Sequence, residues 1–160
     1  MITVVRAHTF VDDKEHKFKL STGVVATVLG YRQDDPSRPE AGGILLGRYI
    51  LDCDDVVVDE ATVPVEDDRR SRQRFYRSAK HHQDAICRAW ARSAGTCNYL
   101  GEWHTHPEAD PSPSSIDLAG WRRKLIVDHV DSGVLYFVIV GTHAINVWCG
   151  YRRRLIFSVL

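Results

Sequence analysis

His104 and His106 stand two residues apart, and Asp117 follows after ten intervening residues. In an extended strand alternate side chains leave on one face, so the two imidazoles can reach a single ion. An aspartate folded back over them would complete three protein ligands at about 2.0–2.2 Å for zinc, leaving a fourth position for water. Three ligands with one open position is the pattern of a catalytic zinc, whereas structural sites close with four. Ser114, three residues before Asp117, is a natural N-cap for a following helix. The plainer reading of these residues is two strand histidines, a cap and a carboxylate suited to the helix dipole; the joint spacing argues against coincidence.

Other groups compete for roles in such a site. Glu102 lies two residues before His104, on the same strand face, and could act as a base or orient an imidazole. Spacing alone does not separate Glu102 from the upstream Glu40. Glu108 and Asp110 fall in a proline-broken loop, Pro107 to Pro113, and read as solvent-exposed. His81 and His82 begin a helix and read as part of its polar face, while His8, His16, His129 and His143 stand alone.

The elements that must position these groups are legible from pattern. Strands are predicted over Thr3–Val11, Gly43–Leu51, Asp55–Val63, Asn98–His104, Gly133–Val140, Ala144–Trp148 and Arg153–Val159. Helices are predicted over Thr22–Arg32, capped by Ser21, over Lys80–Ser93, with Ile86, Ala89 and Trp90 on one face, and over Ser115–His129. Trp103 alternates away from the histidines and is expected in the core, as is Trp121. The order predicts an α/β (α+β) fold with a curved mixed sheet flanked by helices.

Composition excludes several functions. The 160 residues fit one domain, 1–160, with no repeat or linker. Lys plus Arg and Asp plus Glu number 21 each, so the formal net charge is zero and no field steers the chain toward nucleic acid. The run Arg69–Arg77 reads as a solvated loop or helix start, and Arg152–Arg154 as the exposed stretch of a closing strand. The longest apolar run, Val134–Val140, is too short to span a bilayer, so no membrane association is expected. Cys53, Cys87, Cys97 and Cys149 form no C-x-x-C pair and read as reduced thiols of a cytoplasmic protein.

The spacing of His104, His106 and Asp117 resembles the H-x-H-x(10)-D motif of the JAMM (MPN-type) zinc metalloproteases, and Ser114 fits that family's S-x-x-D. Upstream, Glu40-Ala-Gly-Gly-Ile-Leu-Leu-Gly is similar to the family's E-x-G-G-I-L-L-G segment, in which the glutamate opens a strand. The string Leu-Gly-Glu-Trp-His-Thr-His-Pro, residues 100–107, resembles a prokaryotic branch that includes mobile-element proteins and the deconjugating protease of CBASS anti-phage operons. The resemblance implies a cytidine-deaminase-like layout, with one Zn2+ per chain held by His104, His106 and Asp117. It implies Glu40 as general base and favours it over Glu102, and it implies Ser114 as donor to the oxyanion. Gly42 and Gly43 would let the backbone pass close beneath the site.

The function implied is a zinc-dependent, deubiquitinase-like isopeptidase, acting after the C-terminal residue of a ubiquitin-like modifier or of a conjugated CD-NTase-type protein. Ubiquitin-activating-like and conjugating-like enzymes would be its pathway partners. Trimming of a sulfur-carrier precursor, or service as a metal-free MPN scaffold, are the alternatives.

Overall fold

The computed structural model describes residues 5–128, 132–153 and 156–160. In chain order the elements are β1 (His8–Val11), β2 (Lys17–Leu20), α1 (Thr22–Leu29), β3 (Gly42–Tyr49), β4 (Val56–Ala61), β5 (Arg69–Ser71) and β6 (Arg74–Tyr76). They continue with α2 (Ala79–Arg92), β7 (Asn98–Thr105), α3 (Ser115–Val127), β8 (Val134–Val140), β9 (Ile145–Tyr151) and β10 (Ile156–Val159). Eight strands form a mixed sheet in the order β1-β2-β4-β3-β7-β8-β9-β10, and β5-β6 stand apart as a small hairpin. The pairs β2–β4 and β7–β8 are parallel, the latter joined through α3; the other pairs are antiparallel.

The sheet is covered on both faces, which β8 records in its composition. Leu135, Phe137 and Ile139 pack against Trp121 and Leu125 of α3. Val138 and Val140 join the valines of α1, Val24, Val25 and Val28, on the opposite face. A strand buried on both sides reads as a continuous apolar run, as this one does. Helix α2 lies on the α3 side, over Ile44 and Leu46 of β3.

An irregularity in β7 decides which side chains reach α3. Leu45 pairs with Gly101 and Leu46 with Tyr99, so Leu100 has no partner on β3. Such a bulge reverses the alternation downstream. Tyr99 faces the α2/α3 side and Leu100 the α1 side, yet Trp103 also joins the α1-side core. Glu102 and His104 are thereby delivered to the α3 side, where Trp121 meets the His104 ring edge-on at 6.4 Å. Gly101 makes this possible: its φ is +147°, and a Cβ there would sit 1.8 Å from the Tyr136 carbonyl oxygen.

Several elements depart from the expected bounds. The first strand covers His8–Val11, with residues 1–4 outside the described set. A second strand, Lys17–Leu20, follows because Asp12 accepts from the amides of Lys14 and His16 and turns the chain. The Arg69–Arg77 run is mostly solvent-exposed, as expected, but it is neither a loop nor a helix start. It forms the β5-β6 hairpin, because Arg70 and Arg72 donate to carbonyls of the preceding segment. Helix α1 stops at Leu29 rather than Arg32, capped at Gly30. Trp90, expected on the buried face of α2, is 50% exposed and lies over Gly95 instead. Strand β9 runs on past Trp148 to Tyr151. Arg152 and Arg153 form the turn before β10, and Arg152 donates to the Ile126 carbonyl. Arg154 and His129 lie outside the described residues.

Replacing Gly101 by alanine adds a side chain at a strained φ and drives it into the β8 backbone. Urea unfolding of Gly101→Ala is expected to register a loss of at least about 2 kcal/mol.

Candidate metal centre

His104 and His106 leave the C-terminal end of β7 toward the same point, their Nε2 atoms 3.1 Å apart. Asp117, in the first turn of α3, straddles the pair: Oδ1 is 3.3 Å from His104 Nε2, and Oδ2 is 3.4 Å from His106 Nε2. Two ligands of a tetrahedral zinc, each about 2.05 Å from the metal, stand about 3.3 Å apart. The three separations here match that edge length, and two imidazoles with a carboxylate are a donor set suited to zinc. The arrangement fits a metal site.

Asp117 is held in place by its own helix. The Ser114 hydroxyl accepts from the Asp117 amide at 3.1 Å, and Asp117 Oδ2 accepts from the Ser114 amide at 2.7 Å. This is a reciprocal capping box, with aspartate in the third position. The Ser114 hydroxyl also donates to Asp117 Oδ2 at 2.6 Å, which orients the carboxylate toward the histidines. Burial pushes the Asp117 carboxyl up, but hydrogen bonds from His104, His106 and Ser114 together hold it far below the usual carboxylate range. His106 shifts the other way: burial lowers its pKa, and the carboxylates of Asp117, Glu40 and Glu108 together more than reverse that.

Glu40 approaches from the segment just before β3. Its carboxylate and the two histidine nitrogens all lie within 4.8 Å of one another, looser than the Asp117 contacts. Burial pushes its carboxyl above the ordinary value, although the two histidines pull the other way. The backbone around it is clamped. The Glu40 amide donates to the Ser71 carbonyl at 2.7 Å, Arg70 Nε donates to the Glu40 carbonyl at 2.8 Å, and the Ala41 amide donates to Thr105 Oγ1 at 2.9 Å. Beneath it, a Cβ at Gly43 would come within 2.1 Å of the Thr62 carbonyl oxygen, so β3 and the Thr62 segment approach as only glycine permits.

The rivals among the sequence candidates sit elsewhere. Glu102 is on the same face as His104, but its Oε2 accepts from Arg77 Nη1 at 2.9 Å and lies 3.3 Å from Lys124 Nζ. Two cations occupy that carboxylate. Glu108 is half exposed, 3.8 Å from His106 Nδ1, and Asp110 accepts from Asn146. Trp103 and Trp121 are both core residues. His82 departs from its expected place on a polar helix face: it is buried, with Nδ1 against Thr62 Oγ1 at 2.7 Å and Nε2 3.5 Å from Asp68. The segment between β4 and α2 folds over the start of α2 and encloses it.

Sequence reasoning missed Gln33. This buried amide donates to the carbonyls of Arg38 and Arg72 and accepts from Thr105 Oγ1, tying the Glu40 segment, the hairpin and β7 together. Nothing in its local pattern marks it. Thr105, between the histidines, was open to notice.

The family model described as prokaryotic homologs of the JAB domain matches residues 25–154. The chain belongs to the prokaryotic JAB family. It is similar to a Vibrio cholerae protein named CD-NTase/cGAS isopeptidase, at 37% identity over 94% of this chain and 91% of that one. Proteins of the same name from Pseudomonas aeruginosa and Escherichia coli are 36% and 33% identical, over 85% and 91% of this chain and 84% and 88% of theirs. Among solved structures, a Desulfitobacterium hafniense protein determined in solution superposes with a TM-score of 0.61 at 20% identity, covering 88% of each chain. That likeness bears on the fold alone.

Gln33→Leu keeps the approximate volume and strands several polar groups. Its unfolding free energy is expected to fall by about 1–3 kcal/mol in urea titration.

Proposed function

We propose that this JAB-family chain is a zinc isopeptidase that hydrolyses the amide joining the C-terminal residue of a CD-NTase-type protein, or of a ubiquitin-like modifier, to an amine. The observation that carries the reading is the convergence of His104 Nε2, His106 Nε2 and the Asp117 carboxylate at 3.1–3.4 Å, with Glu40 beside them. Isopeptidases at 33–37% identity over most of the chain support the substrate class. The protein acts as one catalytic domain, 1–160, in the cytoplasm; no helix among the described residues is long and apolar enough to cross a membrane.

His104, His106 and Asp117 would hold the zinc, which would supply Lewis acidity to a water and to an amide carbonyl. Glu40 is the general base. Buried, and one water's reach from the histidines, it takes the proton of the attacking water and passes it to the leaving amine. Ser114 serves twice: at rest its hydroxyl orients Asp117, and as charge builds on the carbonyl oxygen the proton turns to it. Glu102, bound by Arg77 and Lys124, takes no proton.

Protein purified without chelator is expected to carry close to one zinc per chain by elemental analysis, and His104→Ala or Asp117→Ala to lose most of it. Absence of zinc, with no uptake on addition, would sink the reading. Incubated with a CD-NTase-type protein amide-linked to lysine, the wild type releases the free C-terminus. Glu40→Gln keeps its zinc and loses about 10²–10⁴-fold in rate, while Glu102→Gln is milder. The reverse ranking would exchange the two roles.

A further inference from the structure

A groove of about 610 Å³ runs from the metal centre along α3, walled by that helix and by the β5-β6 hairpin. The helix wall includes Ile116, Gly120, Arg123 and Val127, spaced by four, three and four residues and so on one face, with Lys124 beside them. Phe75 and Tyr76 stand opposite, and Glu40, His104 and Asp117 close one end. Ile116 is 63% exposed and Val127 60%, although α3 already buries Trp121 and Leu125 on its sheet side. The helix therefore presents two exposed apolar side chains to the groove, Ile116 and Val127, with Gly120 and Arg123 between them.

Gly120 lies in that face, and no contact among the described residues requires it. A Cβ at Gly42, Gly43, Gly47, Gly101 or Gly141 would come within 2.6 Å of a backbone oxygen. At Gly120 it would meet nothing within 4 Å, although the residue is half buried in the groove wall. Gly23 is equally open, but it sits at the start of α1 and does not line the groove. Mid-helix glycine is among the least favourable choices for helix stability. A bare patch kept at that cost, beside a candidate metal centre and between exposed apolar side chains, suits a ligand that must lie against the helix backbone.

The groove's length indicates which ligand. From Asp117 to Val127 the helix rises about 15 Å, which is four or five residues of extended chain at about 3.3 Å each. A lysine side chain, with four methylenes, would fill less than half of it. We infer, resting on the isopeptidase reading, that Gly120 is a specificity-determining residue: its missing side chain admits the backbone of the acyl-donor protein's extended C-terminal tail, whose apolar side chains settle on Ile116 and Val127.

The test uses the zinc-loaded full chain, with Gly120→Ala and Gly120→Leu. One substrate is a CD-NTase-type protein amide-linked through its complete tail to lysine. The other is truncated to the final acyl residue on the same amine. Both variants are expected to bind zinc as the wild type does and to melt at higher temperature, since alanine and leucine favour the helix. On the full-tail substrate kcat/KM falls about 10-fold or more for Gly120→Leu, mainly through KM, and less for Gly120→Ala. The preference for full-tail over truncated substrate shrinks in the same order. Gly120→Leu within twofold of wild type on the full-tail substrate overturns the inference, as does an equal loss on both substrates. Wild-type enzyme that loads zinc yet cleaves no conjugate overturns the isopeptidase reading and this inference with it.

Discussion

The site depends first on a single unpaired residue in β7. Side chains on a strand alternate strictly, so one extra residue exchanges the faces of everything that follows. With Leu100 bulged and Gly101 at φ +147°, His104 leaves toward α3 and Trp103 toward α1. Without the bulge the alternation begun at Tyr99 would send the indole toward the helix that carries Asp117 and the imidazole into the opposite core. The bulge is supported on both sides, since β3 shifts register against it and β8 leaves no room for a Cβ.

Economy marks the way the carboxylates are held. Asp117 closes the N-terminus of α3, accepts two hydrogen bonds from Ser114 and faces both histidines. Cap and ligand geometry are thus one constraint, because the helix cannot begin elsewhere without moving the carboxylate. Glu40 is held by different means. Its position comes from backbone contacts to Ser71, Arg70 and Thr105, and Gln33 links those three segments from below. A carboxylate fixed through its backbone leaves its side-chain oxygens uncommitted, which suits the proton carrier proposed for Glu40.

Charge sorts the remaining acid. Glu102 shares a strand face with His104 and stands as near in sequence as a base could be, but Arg77 from the hairpin side and Lys124 from α3 converge on it. The trio bridges the two walls of the groove. It engages a carboxylate that stands near the candidate metal centre, and it ties α3 to the start of α2.

The sequence by itself marked the candidate site and most of the framework. The spacing of His104, His106 and Asp117, the cap at Ser114 and the apolar run of β8 are local patterns, and local patterns survive translation into strands and helices. The helices α2 and α3 fell within one or two residues of their expected bounds, apart from His129, which lies outside the described residues. What only the tertiary structure decided was non-local. The Arg69–Arg77 run became a hairpin because carbonyls far from it in sequence accept from its guanidinium groups. His82 became buried because Thr62 and Asp68 close over it. Glu40 and Glu102 were equivalent on spacing, and they parted company through partners 22 to 31 residues distant. Periodicity encodes which face a residue takes, but the identity of what stands opposite depends on strand order and register, which no window along the chain contains.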